Sequence, residues 1–268
     1  MAPFDRQAVR RHRERAAAAF GAHEFLFAEA AERLVDRLDD MTRRFPVALD
    51  LGCHDGVLAR ALTGRDRIGT LIQMDLSTAM AARAAQLGPA LVGDEERLPF
   101  RPGSFDAVLS CLSLHWVNDL PGALIQARQA LKPDSLLLAA MLGGGSLREL
   151  RGALMAAEID AAGGASPRIS PFVDLRDAAG LLQRAGFVMP VADCDTLTVT
   201  YESLANLFKD LRGMGEANAL NTRIRGFTRR SVLTGAAAHY AREGENGRLG
   251  ATFELIFLTA WAPAQPRP

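Results

Sequence analysis

Residues 47–56 of this chain read VALDLGCHDG, and this stretch decides the fold. Residues 47–51 are apolar on both faces apart from Asp50, as expected of a central parallel strand covered by helices. Gly52 and Gly56 supply a tight turn, after which apolar residues return at helical spacing. A strand, a glycine turn and a helix in this order place backbone N–H groups against a ligand at the strand's carboxyl end. The stretch therefore predicts a site for a nucleotide-type cofactor.

The position of Asp50 argues against a dinucleotide as this ligand. In the NAD fingerprint GxGxxG the glycine backbone contacts a pyrophosphate, and a carboxylate two residues before Gly52 would repel that group. The carboxylate suits a cationic ligand instead. S-adenosylmethionine (SAM) meets this requirement, because it carries both an ammonium and a sulfonium group.

Further acidic residues follow the next predicted strands. Residues 70–74 form a short strand that ends in Asp75, near the separation at which an acidic residue binds ribose hydroxyls. The segment VGDEERLPF at 92–100 ends a third strand with Asp94 and Glu95. An oxygen of Asp94 would accept a hydrogen bond from an adenine amino group.

Strands and helices continue to alternate through the following residues. A helix is predicted over 77–86 and a fourth strand over 104–109, followed by SCLSLHW at 110–116. LKPD at 131–134 is predicted to close the next helix, before an apolar strand over 135–142. This alternation is typical of a parallel sheet in an α/β protein.

The elements from Phe45 to Met141 resemble those of the class I SAM-dependent methyltransferases. The resemblance implies a Rossmann-like α/β fold, with a seven-stranded, mostly parallel sheet and helices on both faces. It also implies a helical insertion after strand five and one antiparallel strand near the C-terminus, over 251–261. The implied cofactor is SAM.

The resemblance further implies which residues bind SAM. The glycine loop, with Asp50, Gly52, Cys53 and Gly56, would bind the methionine part of SAM. Asp75 would bind the ribose, and Leu76, Asp94 and Glu95 would contact the adenine. Ser110, after strand four, would line the floor beneath the sulfonium. His54 departs from the family pattern, which has glycine there. Its side chain either crowds the loop and lowers SAM affinity or points to solvent.

Motifs outside the core are similar to one subfamily, the methyltransferase-fold assembly factor of respiratory complex I and its bacterial relatives. They are FDR at 4–6, SLHWVNDLP at 113–121, SPRISPF at 166–172 and DLRGMGEAN at 210–218. The malonyl-carrier-protein O-methyltransferase of biotin synthesis is a more distant likeness. The subfamily resemblance implies hydroxylation of an arginine on a complex I subunit, whereas the fold implies methyl transfer. The fold alone leaves both reactions open.

His115 is the candidate general base, because it follows the fourth strand, where the acceptor should lie. Asp119, one helical turn on, would orient the imidazole. No metal site is predicted: the five histidines are scattered along the sequence, and their single HxE spacing, at 12–14, lies outside the predicted core. Packing beside the cofactor pocket is the alternative role for His115.

Segments outside the core carry the predicted substrate contacts. A cluster of five arginines precedes an amphipathic helical stretch: Arg6, Arg10, Arg11, Arg13 and Arg15. This segment is predicted to be a lid, whose arginines approach the cofactor carboxylate or an acidic partner. The alternative is a solvated helix packed beside the sheet. The glycines of GMGEAN at 213–218 suggest close approach of the backbone to another surface, or simply a loop. Arg168, with Ser166 and Ser170, is a candidate for binding a carboxylate or an acidic peptide.

Five segments are predicted along the chain: an N-terminal helical lid over 1–44, the SAM-binding core over 45–142, a helical insertion and return helix over 143–186, C-terminal strands and helices over 187–262, and a tail over 263–268. Helices are predicted over 147–162, 174–185, 204–211 and 229–242.

Composition limits the remaining function classes. The chain has 268 residues, 49% of them hydrophobic, and a formal net charge of zero, which gives no electrostatic argument for nucleic acid binding. Its three cysteines are widely spaced, which indicates a reduced, cytosolic state. The subfamily resemblance implies the cytoplasm of a bacterium or the matrix side of a mitochondrion. No apolar run reaches the ~20 residues that span a bilayer, so membrane contact would be peripheral. The oligomeric state is not predicted.

Three hypotheses on function follow. The first is a SAM-binding enzyme that modifies an arginine of a complex I subunit. The second is an O-methyltransferase acting on a small-molecule or carrier-protein carboxylate. The third is a noncatalytic assembly chaperone that keeps the SAM pocket as a ligand site.

Overall fold

The computed structural model describes residues 2–242 and 248–264. Its strands are β1 (Phe45–Leu51), β2 (Ile68–Asp75), β3 (Ala90–Val92), β4 (Phe105–Cys111), β5 (Leu131–Leu142), β6 (Val188–Tyr201) and β7 (Leu249–Trp261). Its α-helices are α1 (Arg6–Ala16), α2 (Phe25–Asp39), α3 (Val57–Ala61), α4 (Thr78–Ala84), α5 (Leu120–Ala130), α6 (Arg148–Ala162), α7 (Leu175–Arg184), α8 (Leu204–Gly213) and α9 (Arg230–Arg242). Short 3-10 helices cover Ala17–Ala22 and Leu114–Trp116.

Within the described residues the strands form one seven-stranded sheet in the order β3-β2-β1-β4-β5-β7-β6. The pairs from β3 to β5 are parallel, whereas β7 lies antiparallel between β5 and β6. The predicted sheet, with its antiparallel C-terminal strand, is therefore confirmed. So are the helices predicted over the insertion and beyond, each to within a few residues.

The sheet is covered on both faces, which explains the apolar character of β1. Ala48 belongs to the apolar layer that α2, α3, α6 and α8 form on one face, and Leu49 belongs to the layer that α5 and α7 form on the other. Both side chains are fully buried. A strand buried on both faces has no solvent-facing positions, so it cannot alternate apolar and polar residues.

Side-chain caps define where several helices begin. The carboxylates of Asp5, Asp119 and Asp174 accept backbone N–H groups at the starts of α1, α5 and α7. The Ser77 hydroxyl does the same for α4. Each cap satisfies a first-turn donor that has no partner within its helix.

The prediction that LKPD at 131–134 closes a helix is confirmed at Leu131, the C-cap of α5, but the strand predicted from 135 begins earlier. α5 ends at Ala130, and these residues begin β5. The β4–β5 register shifts between the Phe105–Leu131 and Ala107–Leu136 pairs, and Asp134 has a positive φ of 57°. Pro133 has no N–H group for a helical hydrogen bond. The irregularity accommodates the residues of β5 between Leu131 and Leu136, which outnumber those between Phe105 and Ala107 on β4.

The N-terminal segment is hydrogen-bonded to the loop after α8. The Asp5 N–H donates to the Ala219 carbonyl at 2.8 Å, and the Asn221 N–H donates to the Pro3 carbonyl at 2.9 Å. Part of the predicted tail, residues 265–268, lies outside the described residues. In the described part of the chain, no helix is both long and apolar enough for a membrane crossing.

Candidate functional site

The glycine loop has the predicted strand, turn and helix geometry. Gly52, at the end of β1, has a φ of 79°, and Gly56 begins α3 with a φ of 93°. Both values lie in the left-handed region that favours glycine. A Cβ on Gly52 would overlap the Ser113 hydroxyl, so the loop backbone packs directly against the turn after β4.

Asp50 is fully buried at the end of β1, and neither of its carboxylate oxygens has a hydrogen-bond partner among the described residues. Burial, with a smaller contribution from the charge of Asp75, raises the pKa of Asp50 well above its usual value. A buried carboxylate without a donor costs free energy that a cationic or N–H ligand would recover. The side chain therefore fits the predicted ammonium contact.

Asp75 lies at the carboxyl end of β2, fully buried and fully hydrogen-bonded. Its Oδ1 accepts the Ser77 N–H at 2.7 Å. Its Oδ2 accepts the His54 N–H and the Arg13 Nη1 group, each at 3.0 Å. The predicted ribose acceptor thus already has three donors from the protein.

Glu95 is buried and Asp94 is partly exposed, and both pair with α1. Glu95 Oε1 accepts the Ser113 hydroxyl at 2.6 Å and Arg13 Nη1 at 3.1 Å, while Arg6 contacts its other oxygen. Arg6 also donates to Asp94 at 2.6 Å. Burial acts to raise the pKa of Glu95, but the two arginines and the Ser113 hydrogen bond lower it to about 2.

Arg13 is the residue of α1 that enters this acidic cluster. Its side chain is 2% exposed, and its Nη2 donates to the Ser113 hydroxyl at 2.8 Å. Arg6 and Arg13 are seven residues apart, two helical turns, which places them on one face, whereas Arg10 and Arg11 remain largely exposed. Two of the arginines thus meet carboxylates of the protein itself, and the lid stays a prediction. Their seven-residue spacing could have identified them in the sequence.

His54 does not point to solvent, so that alternative is wrong. The side chain is fully buried, with its ring stacked on Phe20 at a centroid distance of 5.7 Å and edge-on to Phe27 at 4.6 Å. Its Nε2 lies 3.2 Å from the Leu112 carbonyl. Burial, reinforced by the nearby charge of Arg13, lowers the pKa of His54. The imidazole fills the space beside the loop that a glycine would leave open.

The other predicted cofactor contacts lie around the same loop. Cys53 is buried, and burial raises the pKa of its thiol well above the usual value, which disfavours the reactive thiolate. The Ser110 hydroxyl donates to the Leu51 carbonyl at 2.7 Å, beneath the loop. Leu76 packs against the small apolar cluster that contains Phe4 and Trp116.

His115 is buried after β4, but the prediction that Asp119 orients it is wrong. Asp119 is exposed and caps α5 by accepting the Gly122 N–H at 2.9 Å. The carboxylate that meets the imidazole is Glu216, whose Oε2 lies 3.1 Å from His115 Nε2. Trp116 Nε1 donates to the same oxygen at 2.9 Å.

Glu216 lies within the GMGEAN motif, and no role is predicted for it from the sequence. Its side chain is 6% exposed. Burial acts to raise the pKa of Glu216, but His115, through its charge and hydrogen bond, and the Trp116 hydrogen bond lower it, which favours an ionised carboxylate. A Cβ on Gly213 would overlap the His23 ring, so the expected close backbone approach in this motif is present.

Beyond the turn over 113–116 lies a cavity of about 510 Å³, within the size range of small-molecule sites. Its interior is mainly apolar, with residues from β5, α6, α8, β7 and the 169–172 loop: Leu142, Leu150, Leu154, Phe172, Leu211 and Phe253. Glu216 is the one carboxylate in this wall among the described residues. The buried Ser170 hydroxyl also lines it and has no hydrogen-bond partner there.

Arg168 and Ser166 are not free for an acidic ligand, contrary to that hypothesis. Arg168 Nε donates to Glu158 at 2.8 Å, and the Ser166 hydroxyl donates to the same carboxylate at 2.8–2.9 Å. These contacts tie the 166–172 loop to α6. Among the described residues, no cluster of three or more histidine, cysteine or acidic side chains has the arrangement of a metal site.

The residues around the glycine loop fit SAM in kind. Asp50 offers an unpaired carboxylate for the ammonium, and Gly52 allows close backbone approach. Asp75 and Glu95 have the chemistry that ribose and adenine require, although Arg13 is bonded to both. A ribose at Asp75 would therefore replace the contact that Arg13 makes there.

Comparisons with known proteins agree with this site. Residues 49–139 match the family described as a methyltransferase domain. The chain is 39% identical over 273 residues to "Arginine-hydroxylase NDUFAF5, mitochondrial" of Danio rerio, across 99% of this chain and 85% of that protein. It is 34% identical over 272 residues to the malonyl-[acyl-carrier protein] O-methyltransferase of Methylovorus sp. (strain MP688), across 97% of this chain and 90% of that protein.

A solved structure shows the same fold. Haemonchus contortus phosphoethanolamine N-methyltransferase 2, in complex with phosphomonomethylethanolamine and S-adenosylhomocysteine, matches with a TM-score of 0.58 and 18% identity. The match covers 95% of this chain and 60% of that chain. The family match supports SAM as the cofactor. The chain is an enzyme that belongs to the methyltransferase-fold family of the arginine hydroxylase NDUFAF5.

Proposed function

We propose that this protein is a SAM-binding enzyme that modifies an arginine side chain of a respiratory complex I subunit. The observation that carries the proposal is Glu216, a buried carboxylate with a lowered pKa, which lies in the wall of a cavity with a mainly apolar interior. A guanidinium group is the natural partner of such a carboxylate, because it forms charge-assisted hydrogen bonds to both oxygens. The relative that is named an arginine hydroxylase supports the same substrate.

Bound SAM would be held by the glycine loop, with Asp50 at its ammonium, Asp75 at the ribose, and Leu76, Asp94 and Glu95 around the adenine. Cys53 and Gly56 would complete the loop, and Ser110 would support the floor. When bound, SAM supplies an electrophilic methyl group on a sulfonium. The protein's own contribution is to align the acceptor, which supplies up to ~7–11 kcal/mol of barrier reduction in well-oriented reactions.

Glu216 would bind and orient the substrate guanidinium at the turn that separates the cavity from the glycine loop. The apolar wall around it excludes water, which strengthens the ion pair. His115 is 3.1 Å from Glu216, and in its neutral form it is the group we assign as proton acceptor when a guanidinium nitrogen reacts. In this role Glu216, rather than Asp119, positions the imidazole.

Mass spectrometry of complex I from cells that carry or lack the gene tests the proposal. We expect one subunit arginine to gain the mass of one oxygen atom or of one methylene only when the gene is present. The two masses distinguish hydroxylation from methylation. Complementation with Glu216→Gln should abolish the modification, and the exposed control Glu202→Gln should preserve it. Unmodified subunits in the strain that carries the unaltered gene would contradict the proposal.

A second candidate is methylation of a carrier-protein carboxylate, which the arginines that line the cavity favour. The Methylovorus relative is named for that reaction. Incubation with labelled SAM and malonyl-carrier protein would yield a labelled methyl ester.

The noncatalytic chaperone predicts another outcome. In a strain that cannot assemble complex I without the protein, a SAM-site variant such as Asp75→Ala would still restore complex I.

We further propose that the protein acts where complex I subunits are assembled, in a bacterial cytoplasm or a mitochondrial matrix. The relative from Danio rerio is named mitochondrial. Any association with the membrane would be peripheral. Fractionation of cells, with the protein followed by antibody, tests this placement: recovery outside that compartment would contradict it.

A further inference from the structure

The mouth of the apolar cavity is rich in arginine, in contrast to its interior. Arg11, Arg212 and Arg225 line the cavity and are exposed to solvent. Glu216, on the same wall, has a side chain that is only 6% exposed. The cavity therefore combines one buried negative charge with a positively charged rim.

The rim arginines are not neutralised by the protein. Arg212 and Arg225 make no hydrogen bond or ion pair through their side chains to any of the described residues, and Arg11 reaches Asp5 only at 3.9 Å. The other two arginines of the lining are paired, Arg223 with Asp5 at 2.8 Å and Arg168 with Glu158. The charge at the mouth is thus available to a ligand.

Exposed apolar side chains lie beside these arginines. Ile224 is 53% exposed and lines the cavity, and Phe227, three residues further along the same loop, is fully exposed. Aromatic and arginine side chains together are typical of protein interfaces. A small ligand inside the cavity would leave Phe227 uncovered, whereas a partner protein would cover it.

A substrate arginine by itself does not match this rim, because its guanidinium would be repelled on the way to Glu216. Carboxylates on either side of the substrate arginine would remove this repulsion and pair with the rim. Resting on the proposed function, we infer that the rim of Arg11, Arg212 and Arg225, with Ile224 and Phe227, docks an acidic segment of the partner protein that presents the arginine.

Fluorescence anisotropy with labelled peptides and the full-length protein tests this inference without SAM. The peptides share their length and a central arginine and differ in its neighbours, which are aspartate, serine or lysine. We expect the aspartate-flanked peptide to bind about tenfold more tightly than the serine-flanked one, as several exposed ion pairs together provide. The advantage should shrink as salt is added. Equal affinity for the two peptides would overturn the inference.

The double charge reversal Arg212→Glu/Arg225→Glu assigns the effect to the rim. It should remove the preference for aspartate-flanked peptides and improve binding of the lysine-flanked one. Arg101→Glu/Arg176→Glu is the matched control, since both arginines are exposed, lie outside the cavity lining and carry the same charge change. An equal loss of affinity in the two double variants would overturn the role of the rim.

A peptide with citrulline in place of the central arginine separates this inference from the proposed function. Citrulline has nearly the same shape without the charge. Binding of the aspartate-flanked citrulline peptide that still depends on Arg212 and Arg225 supports the rim by itself. If Glu216→Gln then leaves the preference for arginine over citrulline unchanged, the proposed substrate contact fails while the rim stands.

Discussion

Asp50 has no hydrogen-bond partner among the described residues, which suits its carboxylate to a ligand. Its neighbours Cys53 and Asp75 provide no donor to its buried oxygens. Burial and the charge of Asp75 hold its pKa well above the usual value. Residues that reduce stability in this way are expected at functional sites.

Asp50→Asn should lower SAM affinity with little change in the free energy of unfolding. A buried amide without a partner replaces a buried carboxyl group without one, so the desolvation cost remains. Losing a charge-assisted contact to the ammonium weakens binding by about ten- to a hundredfold. Urea unfolding and isothermal titration with SAM measure the two effects, with the exposed Asp40→Asn as control. Unchanged affinity would contradict the ammonium contact.

Glu95 should make stability depend on pH in acid. Its pKa is lowered from 4.5 to about 2 in the folded protein, so its contribution is complete above pH 4.5 and is lost as the pH falls toward 2. In Glu95→Gln the unfolding free energy at pH 7 should fall by about 3 kcal/mol, and its decline between pH 4.5 and 2 should be shallower. Urea unfolding at several pH values measures both, and a decline as steep as in the unmodified protein would contradict the assignment.

At the scale of elements, α1 is held to the sheet by charge rather than by a continuous apolar face. Arg6 and Arg13 enter the acidic cluster at the ends of β2 and β3, while Ala8 and Val9 supply the buried apolar contacts. Because Arg13 bonds to the predicted ribose and adenine acceptors, cofactor binding and the position of this helix should be coupled.

Arg13→Gln tests this coupling. The variant should lose about 3–5 kcal/mol of unfolding free energy, because two buried carboxylates lose their partner. SAM should then raise its melting temperature by more than it raises that of the unmodified protein, since Asp75 no longer has to exchange Arg13 for the ribose. Arg15→Gln, an exposed substitution on the same helix, is the control. A smaller SAM effect in Arg13→Gln would show that Arg13 helps to hold the cofactor.

At the scale of the whole molecule, the cavity is built from elements that are far apart in sequence. Arg11 on α1, Phe172 between α6 and α7, Leu211 on α8 and Phe253 on β7 all line it. The N-terminal segment is joined to this assembly where Phe4 packs edge-on against Trp116, with ring centroids 5.3 Å apart. Loosening either end of the chain should therefore disturb the site.

Phe4→Ala should release α1 from the loop after α8. Truncating this buried ring costs about 3–5 kcal/mol, and trypsin should cleave faster at the arginines of α1. Limited proteolysis followed by mass spectrometry identifies the cut sites. Phe25→Ala, at a ring 36% exposed, is the matched control. Equal cleavage rates in the two variants would contradict the docking role of Phe4.

Elements with strong local signals could be predicted from the sequence. The glycines at 52 and 56 set the turn after β1, Asp174 marks the start of α7, and the apolar run at 251–261 forms β7. The start of β5 was predicted too late, at 135, because Pro133 fits a helix end as well as an irregular strand, and only pairing with β4 shows that LKPD at 131–134 belongs to the strand. The assignments of SAM contacts and of His115 as a base remain predictions.

The fold class and the position of the glycine loop could be predicted from the sequence alone, because both depend on periodicity and turn residues within short segments. Only the tertiary structure decided which charged groups meet. Glu216 reaches His115 across 101 positions of sequence, and Arg13 reaches Glu95 across 82. Such pairs depend on how helices dock, and a carboxylate near a histidine in sequence, such as Asp119, can face solvent and cap its own helix instead. Local propensity carries no information about these distant contacts, which form only when the sheet and its covering helices pack together.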